Sequence, residues 1–477
     1  MISLYHKIFT WGITIMKKNT SAEHAGKARG RFSGGLGYVL AVAGSAVGLG
    51  NIWRFPYLAA KYGGGMFLLV YLILVVTFGY ALIVTETALG RMTRKSPVGA
   101  FHAFGSSLPF QIGGWVNAVV PMLIVPYYCV IGGWVLKYLA EYLRGSSLKL
   151  AEDGYFTEFI ASSVSVELWF LLFSALVFFV ILAGVKHGIE RVSRVMMPLL
   201  VLLAMFVAVY SVTRPGAWEG VKYFLVPKLE DFSFMTVIAA MGQMFYSLSI
   251  AMGILYTYGS YIGRDVDIEK STAQVEFFDT AIALLAGMMV IPAVFVFSGG
   301  DMETLKAGPS LAFITLPKIF ASMGMGGLVG IAFFLMFFFA ALTSAISLME
   351  TSISTFEDEL KWSRPRCCML MVLVMMLVGS ASSLGYGALD FVKIFGMAFL
   401  DFFDFLTNSV MMPVAAFSSC ILVIRVVGFE RIAGEVERSS AFRRKKLYCF
   451  FLKYVAPICI GIILISSIAN VLGIISL

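Results

Sequence analysis

Long apolar stretches follow one another along the chain, separated by short polar segments. A bilayer core about 30 Å thick needs roughly 20 apolar residues of helix to cross it. Eleven stretches of this kind, numbered here as spans 1 to 11, begin near Leu36, Met66, Phe110, Val166, Val192, Met235, Ala273, Gly326, Cys367, Phe391 and Tyr448. Because hydrocarbon offers no hydrogen-bond partners to the backbone, we predict an all-α membrane protein with eleven transmembrane helices.

The composition agrees with a membrane bundle and argues against other classes. Of 477 residues, 59% are apolar and 13% are charged, which is not the balance of a soluble domain. The net charge of +8 fits basic cytoplasmic loops better than a nucleic-acid-binding face. Neither HExxH nor GxxxxGK[ST] occurs in the chain. We therefore expect neither an enzyme nor a nucleic-acid-binding protein.

The basic residues predict how the spans are oriented. They cluster before span 1, after span 2, between spans 4 and 5, after spans 6 and 8, and before span 11. All these segments lie on one side of the membrane, and basic loops are cytoplasmic. We expect a multi-pass protein of the plasma membrane, the inner membrane in a bacterium, with a cytoplasmic amino terminus and an external carboxyl terminus. Met16-Lys17-Lys18 resembles a second translation start, so we treat residues 1–15 as dispensable.

Spans 1 and 6 contain residues that weaken a helix. Span 1 has Gly44, Gly48 and Gly50 close together, and span 6 has the segment Ser247–Gly253 at a similar depth. Glycines four apart also serve simple helix packing, which is the alternative interpretation. Arg54 near the middle of span 1 favours a functional break, since a charge there must face a partner or water. Two breaks five spans apart indicate an inverted repeat with a midplane site, an arrangement known from transporters.

Several motifs resemble the neurotransmitter:sodium symporter family, whose members have the LeuT fold. They are GSAVGLGNIWRFP at 44–56, GGG at 63–65, GIER at 188–191, GQ at 242–243, ALTS at 341–344 and EDEL at 357–360. The resemblance runs from about Arg29 to the end of span 10, and span 11 is present without a twelfth. It implies a five-plus-five inverted-topology repeat, with helices 1 and 6 unwound at mid-membrane.

This fold implies a division of the chain. Residues 1–35 would form a cytoplasmic segment with inner-gate residues, 36–212 the first repeat, and 213–426 the second repeat. An extracellular lid at 299–325 would contain a short helix from Pro309 to Phe320. Residues 427–447 would form a cytoplasmic loop, and 448–477 would contain span 11.

The resemblance also implies two sodium sites. The first would use the Ala46 carbonyl, Asn51, Ser247 and Asp279. The second would use the carbonyls of Gly44, Val47 and Ala340 with the hydroxyls of Thr343 and Ser344. Sodium, a hard cation, favours several oxygen ligands, and unwound helix frees carbonyls to provide them. For Thr343 and Ser344, hydrogen bonding back to their own helix is the structural alternative.

Span 7 departs from the pattern of the family. Phe278 stands where better-known members have Asn, and Asp279 follows it. A carboxylate at this place supplies the negative charge that chloride provides in other members, so we expect chloride independence. Asp279 pairing with a cytoplasmic Lys or Arg is the alternative.

The implied substrate is an amino acid. The exposed amides of Gly48–Gly50 and the Tyr128 hydroxyl suit a carboxylate, and carbonyls near Tyr246 and Ser249 suit an ammonium group. The full expected set is Ala46, Gly48, Leu49, Gly50, Ile124, Tyr128, Tyr246, Ser247, Ser249, Met252, Ser344 and Leu348. Met252 is flexible and favours large hydrophobic side chains such as Trp, Tyr, Phe or Leu.

Two charge pairs would close the pathway, and other functions remain open. Arg54 with Asp404 would form the outer gate, with Asp401 as a substitute for Asp404. Arg29 with Asp358 would form the inner gate, where Phe32 replaces the Trp usual in the family. A symporter for osmolytes such as betaine or proline, a channel and a sensor are the alternatives.

Overall fold

The structure is a computed structural model that describes residues 30–299 and 309–471. The predictions for residues 1–29, including Arg29, and for part of the lid therefore lie outside the described residues. Apart from an isolated bridge between Ile394 and Met397, the described ranges contain helices and connecting segments without β-structure.

Nine helices of the described chain are long and apolar enough to cross a membrane. They are span 2 (Gly65–Thr93), span 3 (Leu108–Leu143), span 4 (Ser163–Leu182), span 5 (Val185–Val212), span 7 (Ile268–Ser298), span 8 (Gly326–Leu360), span 9 (Arg364–Leu384), span 10 (Phe399–Val427) and span 11 (Lys445–Ser466). Helical structure continues in span 11 to Val471. Each of these except span 10 begins within seven residues of the start predicted from the sequence.

The predicted start of span 10 is wrong by eight residues. We placed it near Phe391, but the helix begins at Phe399. Residues 385–398 form a connecting segment, in which Phe395 and Gly396 have left-handed backbone with φ of 51° and 78°. The apolar run continues from this segment into the helix, so hydrophobicity alone hides the boundary.

Span 1 consists of two helical pieces, Gly35–Ala46 and Gly50–Lys61, whose axes differ by 53°. The second piece starts with a π-helical turn at Gly50–Arg54. Helical hydrogen bonding is therefore interrupted at residues 47–49, within the glycine-rich motif.

Span 6 is also made of two pieces, Phe234–Ser247 and Ile254–Tyr261. Between them Ser249, Ala251 and Gly253 have φ values of 54°, 61° and 68°. Left-handed backbone is costly for residues with a Cβ, so Ser249 and Ala251 depend on surrounding contacts to hold it.

Spans 3 and 8 form the centre of the bundle, and spans 4 and 11 lie at its edge. In an apolar stretch of 18 residues, spans 3 and 8 are 83% and 78% buried, whereas spans 4 and 11 are each 28% buried. Span 2 packs closely on the second piece of span 6, because a Cβ on Gly90 would lie 2.1 Å from the Tyr256 carbonyl oxygen. This contact fixes the second piece of span 6 beside span 2.

A short helix lies between spans 7 and 8, as the sequence predicted. It consists of Leu311–Thr315 and Leu316–Ser322. Phe313 anchors it: its carbonyl accepts a hydrogen bond from the Tyr138 hydroxyl at 2.9 Å, and its ring stacks on Phe156 with centroids 5.1 Å apart. Phe313 also meets the Trp53 ring at 6.1 Å, which places this helix against the second piece of span 1.

Candidate substrate and ion site

A pocket lies where the breaks of spans 1 and 6 meet spans 3 and 8. Its lining contains eleven of the twelve residues of the expected substrate set. Ser247 is the exception, since its side chain turns toward Asp279 in span 7. Ser45 and Ile254 also line the pocket, and the sequence analysis missed both. The lining residues are Ser45, Ala46, Gly48, Leu49, Gly50, Ile124, Tyr128, Tyr246, Ser249, Met252, Ile254, Ser344 and Leu348.

The break of span 1 is held from three sides. The Leu49 amide donates to the Tyr128 hydroxyl at 3.2 Å, and the Gly50 carbonyl accepts from Gln243 Nε2 at 3.0 Å. The hydroxyls of Ser45 and Ser249 lie 3.0 Å apart, which joins the two breaks directly. The pocket's polar wall is therefore built from backbone and hydroxyl groups held in fixed positions.

The break of span 6 has a carboxylate as its support. Glu86 of span 2 is fully buried, and one of its oxygens accepts a hydrogen bond from the Ala251 amide at 3.0 Å. This bond satisfies an N–H that the left-handed backbone removes from the helix. Glu86 was not among the residues predicted from the sequence, although a lone acid in an apolar span is a signal of a functional residue.

Side chains of spans 3, 6 and 8 make the rest of the pocket apolar. Ile124, Met252 and Leu348 line it and are at most 5% exposed. The lining thus combines hydrogen-bonding groups with hydrophobic side chains, which suits a small amphipathic solute.

Glycine at position 48 keeps the polar end open. A Cβ there would lie 2.7 Å from Ser344 Oγ and 2.8 Å from the Tyr128 hydroxyl. The same applies at Gly50, where a Cβ would lie 2.4 Å from the Tyr246 ring. Any side chain on these residues would displace groups that line the pocket.

Beside the pocket, three hydrogen-bond donors surround the carboxylate of Asp279. Asn51 Nδ2 donates at 2.8 Å, the Tyr71 hydroxyl donates at 2.6 Å, and Ser247 Oγ donates as well. Asp279, Asn51 and Tyr71 are fully buried. The structure therefore brings together the three side chains expected at the first sodium site, and adds Tyr71, which the sequence analysis missed.

The side chains that donate hydrogen bonds to the Asp279 carboxylate are all neutral, so its charge is not balanced by them. Among the described residues, no Lys or Arg forms an ion pair with Asp279 within 4.0 Å, so its surroundings do not match the cytoplasmic pairing weighed above. A buried carboxylate needs compensation beyond neutral hydrogen bonds. The Ala46 carbonyl lies at the end of a helix, where carbonyls lack helical partners.

Three of the residues expected at the second sodium site, Gly44, Thr343 and Ser344, lie together between spans 1 and 8. Ser344 Oγ lies 3.3 Å from the Gly44 carbonyl oxygen, and a Cβ on Gly44 would lie 3.2 Å from Thr343 Cβ. Thr343 Oγ1 donates to the Phe339 carbonyl at 2.9 Å, as the structural alternative proposed. A hydroxyl that donates in this way keeps lone pairs for a cation, so the bond is compatible with either role.

The outer-gate residues lie near each other without forming an ion pair. The Arg54 guanidinium carbon lies 5.4 Å from the centroid of the Tyr246 ring, which itself lines the pocket. Asp404 accepts hydrogen bonds from Tyr127 at 3.2 Å and from Asn408 at 2.6 Å. Asp401 instead accepts from Tyr386 at 2.8 Å. A closed Arg54–Asp404 pair thus stays a prediction for another state of the protein.

On the opposite side, residues 31–33 close the bundle. The ring of Phe32 is buried, 5.4 Å from the Tyr258 ring, and its amide donates to the Tyr261 carbonyl at 3.2 Å. The Ser33 amide donates to Glu190 of the GIER motif at 2.9 Å. Asp358 accepts a hydrogen bond from the Ser96 amide at 2.6 Å. Its expected partner Arg29 lies outside the described residues, so the inner gate stays a prediction.

These features define a class of protein: a multi-pass helical membrane protein with a pocket, and a buried carboxylate beside it, between two interrupted helices. A model of the sodium:neurotransmitter symporter family matches residues 29–153 and 141–474. The chain belongs to this family, which is a transporter family and not an enzyme family.

Similar proteins cover nearly the whole chain. An uncharacterized sodium-dependent transporter of Bacillus subtilis (strain 168), YhdH, is 35% identical over 92% of this chain and 97% of its own length. An uncharacterized sodium-dependent transporter of Haemophilus influenzae is 31% identical over 93% of this chain and 99% of its own. The sodium- and chloride-dependent glycine transporter 2 of Xenopus laevis is 24% identical over 92% of this chain and 64% of its own.

A solved structure is similar along the same length. The crystal structure of MhsT in complex with L-phenylalanine matches with a TM-score of 0.83 and 35% identity, covering 92% of this chain and 100% of that one. The predicted family and the LeuT fold are thereby confirmed.

Adding one methyl group at Gly48 tests whether the pocket binds a solute. We expect Gly48→Ala to weaken solute binding by about tenfold to a hundredfold, since overpacking by a methyl costs about 1–3 kcal/mol. Equilibrium binding of a labelled amino acid to purified protein measures the effect. The matched control is Gly461→Ala in span 11, where a Cβ meets no atom within 4 Å. Equal affinities of the two variants would contradict the assignment.

Proposed function

We propose that this protein is a sodium-coupled symporter that imports an amino acid, hydrophobic or aromatic, by alternating access. The observation that carries the proposal is the pocket itself. It joins an amide- and hydroxyl-rich end to an apolar end, and a buried carboxylate that lacks a protein cation lies beside it. A zwitterion with an apolar side chain, accompanied by sodium, fits all three features.

Sodium is the coupling ion of the proposed cycle. The similar proteins of Bacillus subtilis and Haemophilus influenzae are sodium-dependent transporters. In this chain, Asp279, Asn51, Ser247 and the Ala46 carbonyl would bind one ion. Gly44, Val47, Ala340, Thr343 and Ser344 would bind a second, with carbonyl and hydroxyl oxygens alone. Oxygen ligands of this kind suit a hard monovalent ion.

The substrate would lie with its carboxylate toward spans 1 and 3. Gly48–Gly50 and the Tyr128 hydroxyl line the pocket there, and they would donate to the carboxylate once the bound substrate replaces the present hydrogen bond from the Leu49 amide to the Tyr128 hydroxyl. Ser249, whose hydroxyl lies 3.0 Å from that of Ser45, lines the pocket from the break of span 6. Its side chain would lie among Ile124, Met252 and Leu348. The relative MhsT has been crystallised with L-phenylalanine, which supports an aromatic or large aliphatic substrate. An osmolyte such as betaine is less well supported as the substrate, because a quaternary ammonium group is bound by a cage of several aromatic side chains. Among the described residues that line the pocket, Tyr128 and Tyr246 are the aromatic ones.

Coupling would follow from the shared position of the two breaks. Sodium bound at Asn51 and Ala46 would order the backbone that also binds the substrate, so each ligand raises the affinity for the other. Spans 1, 2, 6 and 7 would then move as a bundle to open the pocket inward, between the repeats at 36–212 and 213–426. The membrane potential would contribute about 2.3 kcal/mol per charge per 100 mV. The outer side would be closed by the lid at 299–325 and by a pair of Arg54 with Asp404. The inner side would be closed by a pair of Arg29 with Asp358.

We propose further that transport does not require chloride. The fully buried carboxylate of Asp279 already provides a negative charge next to the expected sodium ligands. Replacing it by an amide would leave sodium without that charge, which an external anion would then have to supply.

A competition assay tests the substrate class. Sodium-dependent uptake by reconstituted protein, with all twenty amino acids as competitors, should be inhibited most by Trp, Tyr, Phe or Leu. Met252→Phe should reduce the space for the substrate's side chain, and added volume in a packed site costs about 1–3 kcal/mol. We therefore expect competition by Trp and Phe to weaken about tenfold, while competition by Ala changes little. Met205→Phe is the matched control, since Met205 is 40% exposed on span 5. If none of the twenty competed, the substrate class would be wrong.

Removal of the Asp279 charge tests the anion. We expect wild-type uptake to be equal in chloride and gluconate, and Asp279→Asn to transport only with chloride present. The control is Asp390→Asn, which removes an exposed acid paired with Lys393 and should leave both rates unchanged. Wild-type uptake that disappears in gluconate would refute chloride independence.

A further inference from the structure

Exposed residues form a stripe along the first half of span 11. They are Lys446, Phe450, Lys453, Tyr454 and Ile458, which recur at three- and four-residue spacing and so share one helix face. Phe450, Tyr454 and Ile458 are 55%, 53% and 64% exposed. Because span 11 is one of the least buried spans, this face points away from the bundle and toward lipid.

The two lysines of the stripe lack acidic partners in the part of the chain that the structure describes. Their neighbours differ: Lys445 pairs with Glu430 at 2.9 Å and Arg444 with Glu276 at 3.6 Å. Lys446 and Lys453 form no ion pair within 4.0 Å among the described residues. The Lys453 ammonium lies 5.0 Å from the centroid of the Tyr454 ring, so its charge is held at the edge of the stripe.

The depth of Lys453 distinguishes it from an ordinary loop cation. It follows Lys446 by seven residues, or about 10 Å along a helix. A lysine this far into an apolar span extends its chain toward the membrane surface, and an anion at the interface is its natural partner. Arg443, also exposed, lies two residues before the start of this helix and adds a third positive charge.

We propose that Lys446 and Lys453, with Arg443, bind the phosphate headgroup of an anionic phospholipid of the phosphatidylglycerol class. Phe450, Tyr454 and Ile458 would contact its acyl chain. Charge complementarity identifies this occupant: the two lysines form no ion pair with an acid of the described chain, and the adjoining surface is apolar, which matches a lipid and not a soluble anion.

The bound lipid would lie next to a connection between the loop at 427–447 and two other spans. The backbone amides of Arg443 and Arg444 donate to the Glu269 carboxylate of span 7 at 2.8 and 3.0 Å. The Arg444 guanidinium carbon lies 4.9 Å from the centroid of the Tyr80 ring of span 2. Headgroup binding would therefore stabilise the segment that connects span 11 to spans 2 and 7.

Quenching by brominated lipids tests the proposal on the full chain, whatever solute it transports. An Ile458→Trp reporter is placed in phosphatidylcholine vesicles that contain brominated phosphatidylglycerol or brominated phosphatidylcholine. Protein without the reporter gives the background of the seven native Trp residues. We expect phosphatidylglycerol to bind about fivefold more tightly at the reporter, because each cation near an anionic headgroup favours it by about that factor.

Variants in the reporter background assign the preference to the lysines. In the double variant Lys446→Gln with Lys453→Gln, the affinities for the two lipids should differ by no more than about twofold. The double variant Lys446→Arg with Lys453→Arg should keep the preference for phosphatidylglycerol. The matched control is Lys222→Gln with Lys393→Gln, two lysines that pair with an acid three residues away. The proposal fails if the wild type shows no preference, if the Gln pair retains it, or if the control loses it equally. Displacement of the lipid by millimolar glycerol phosphate would also overturn it, by indicating a small-anion site.

Discussion

Backbone that leaves helical geometry inside a bilayer must find new hydrogen-bond partners, because hydrocarbon provides none. In this protein the two interruptions, at residues 47–49 and 248–253, supply partners for each other and draw them from neighbouring spans. Ser45 meets Ser249 across the gap, Tyr128 accepts from Leu49, and Glu86 accepts from Ala251. The breaks are stable only as a pair against spans 2, 3 and 8, and the cavity between them follows from this requirement.

Charge places a second constraint on the same region. The Asp279 carboxylate is fully buried among Asn51, Tyr71 and Ser247, all of which are neutral. Asn51 belongs to span 1 and Ser247 to span 6. A group that neutralises Asp279 therefore also affects the positions of the side chains beside both interruptions. A cation at this place would connect the electrostatics of span 7 to the backbone that lines the pocket. This connection gives the proposed coupling between sodium and substrate a physical basis.

Much of the fold and pocket could be predicted from the sequence because the signals are strong and local. Long apolar runs located the spans, and the glycines at 44, 48 and 50 located the first interruption. The family motifs then assigned pocket residues far apart in the chain. Other features depend on tertiary contacts: Tyr71 is one of many aromatic residues in apolar spans, and only its position opposite Asp279 distinguishes it. The start of span 10 was misplaced because its preceding segment is equally apolar. Whether Arg54 and Asp404 pair depends on the conformational state, which sequence patterns do not encode.

Mutual stabilisation of a cation and an amino acid at one paired interruption is the interaction on which the proposed transport depends. Its most direct test is the affinity of purified protein for L-phenylalanine, measured by equilibrium binding at constant ionic strength as choline is replaced by sodium. We expect at least about a tenfold gain in affinity with sodium, and by linkage an equal gain in sodium affinity with phenylalanine. Detectable binding with the same affinity in choline and in sodium would contradict it.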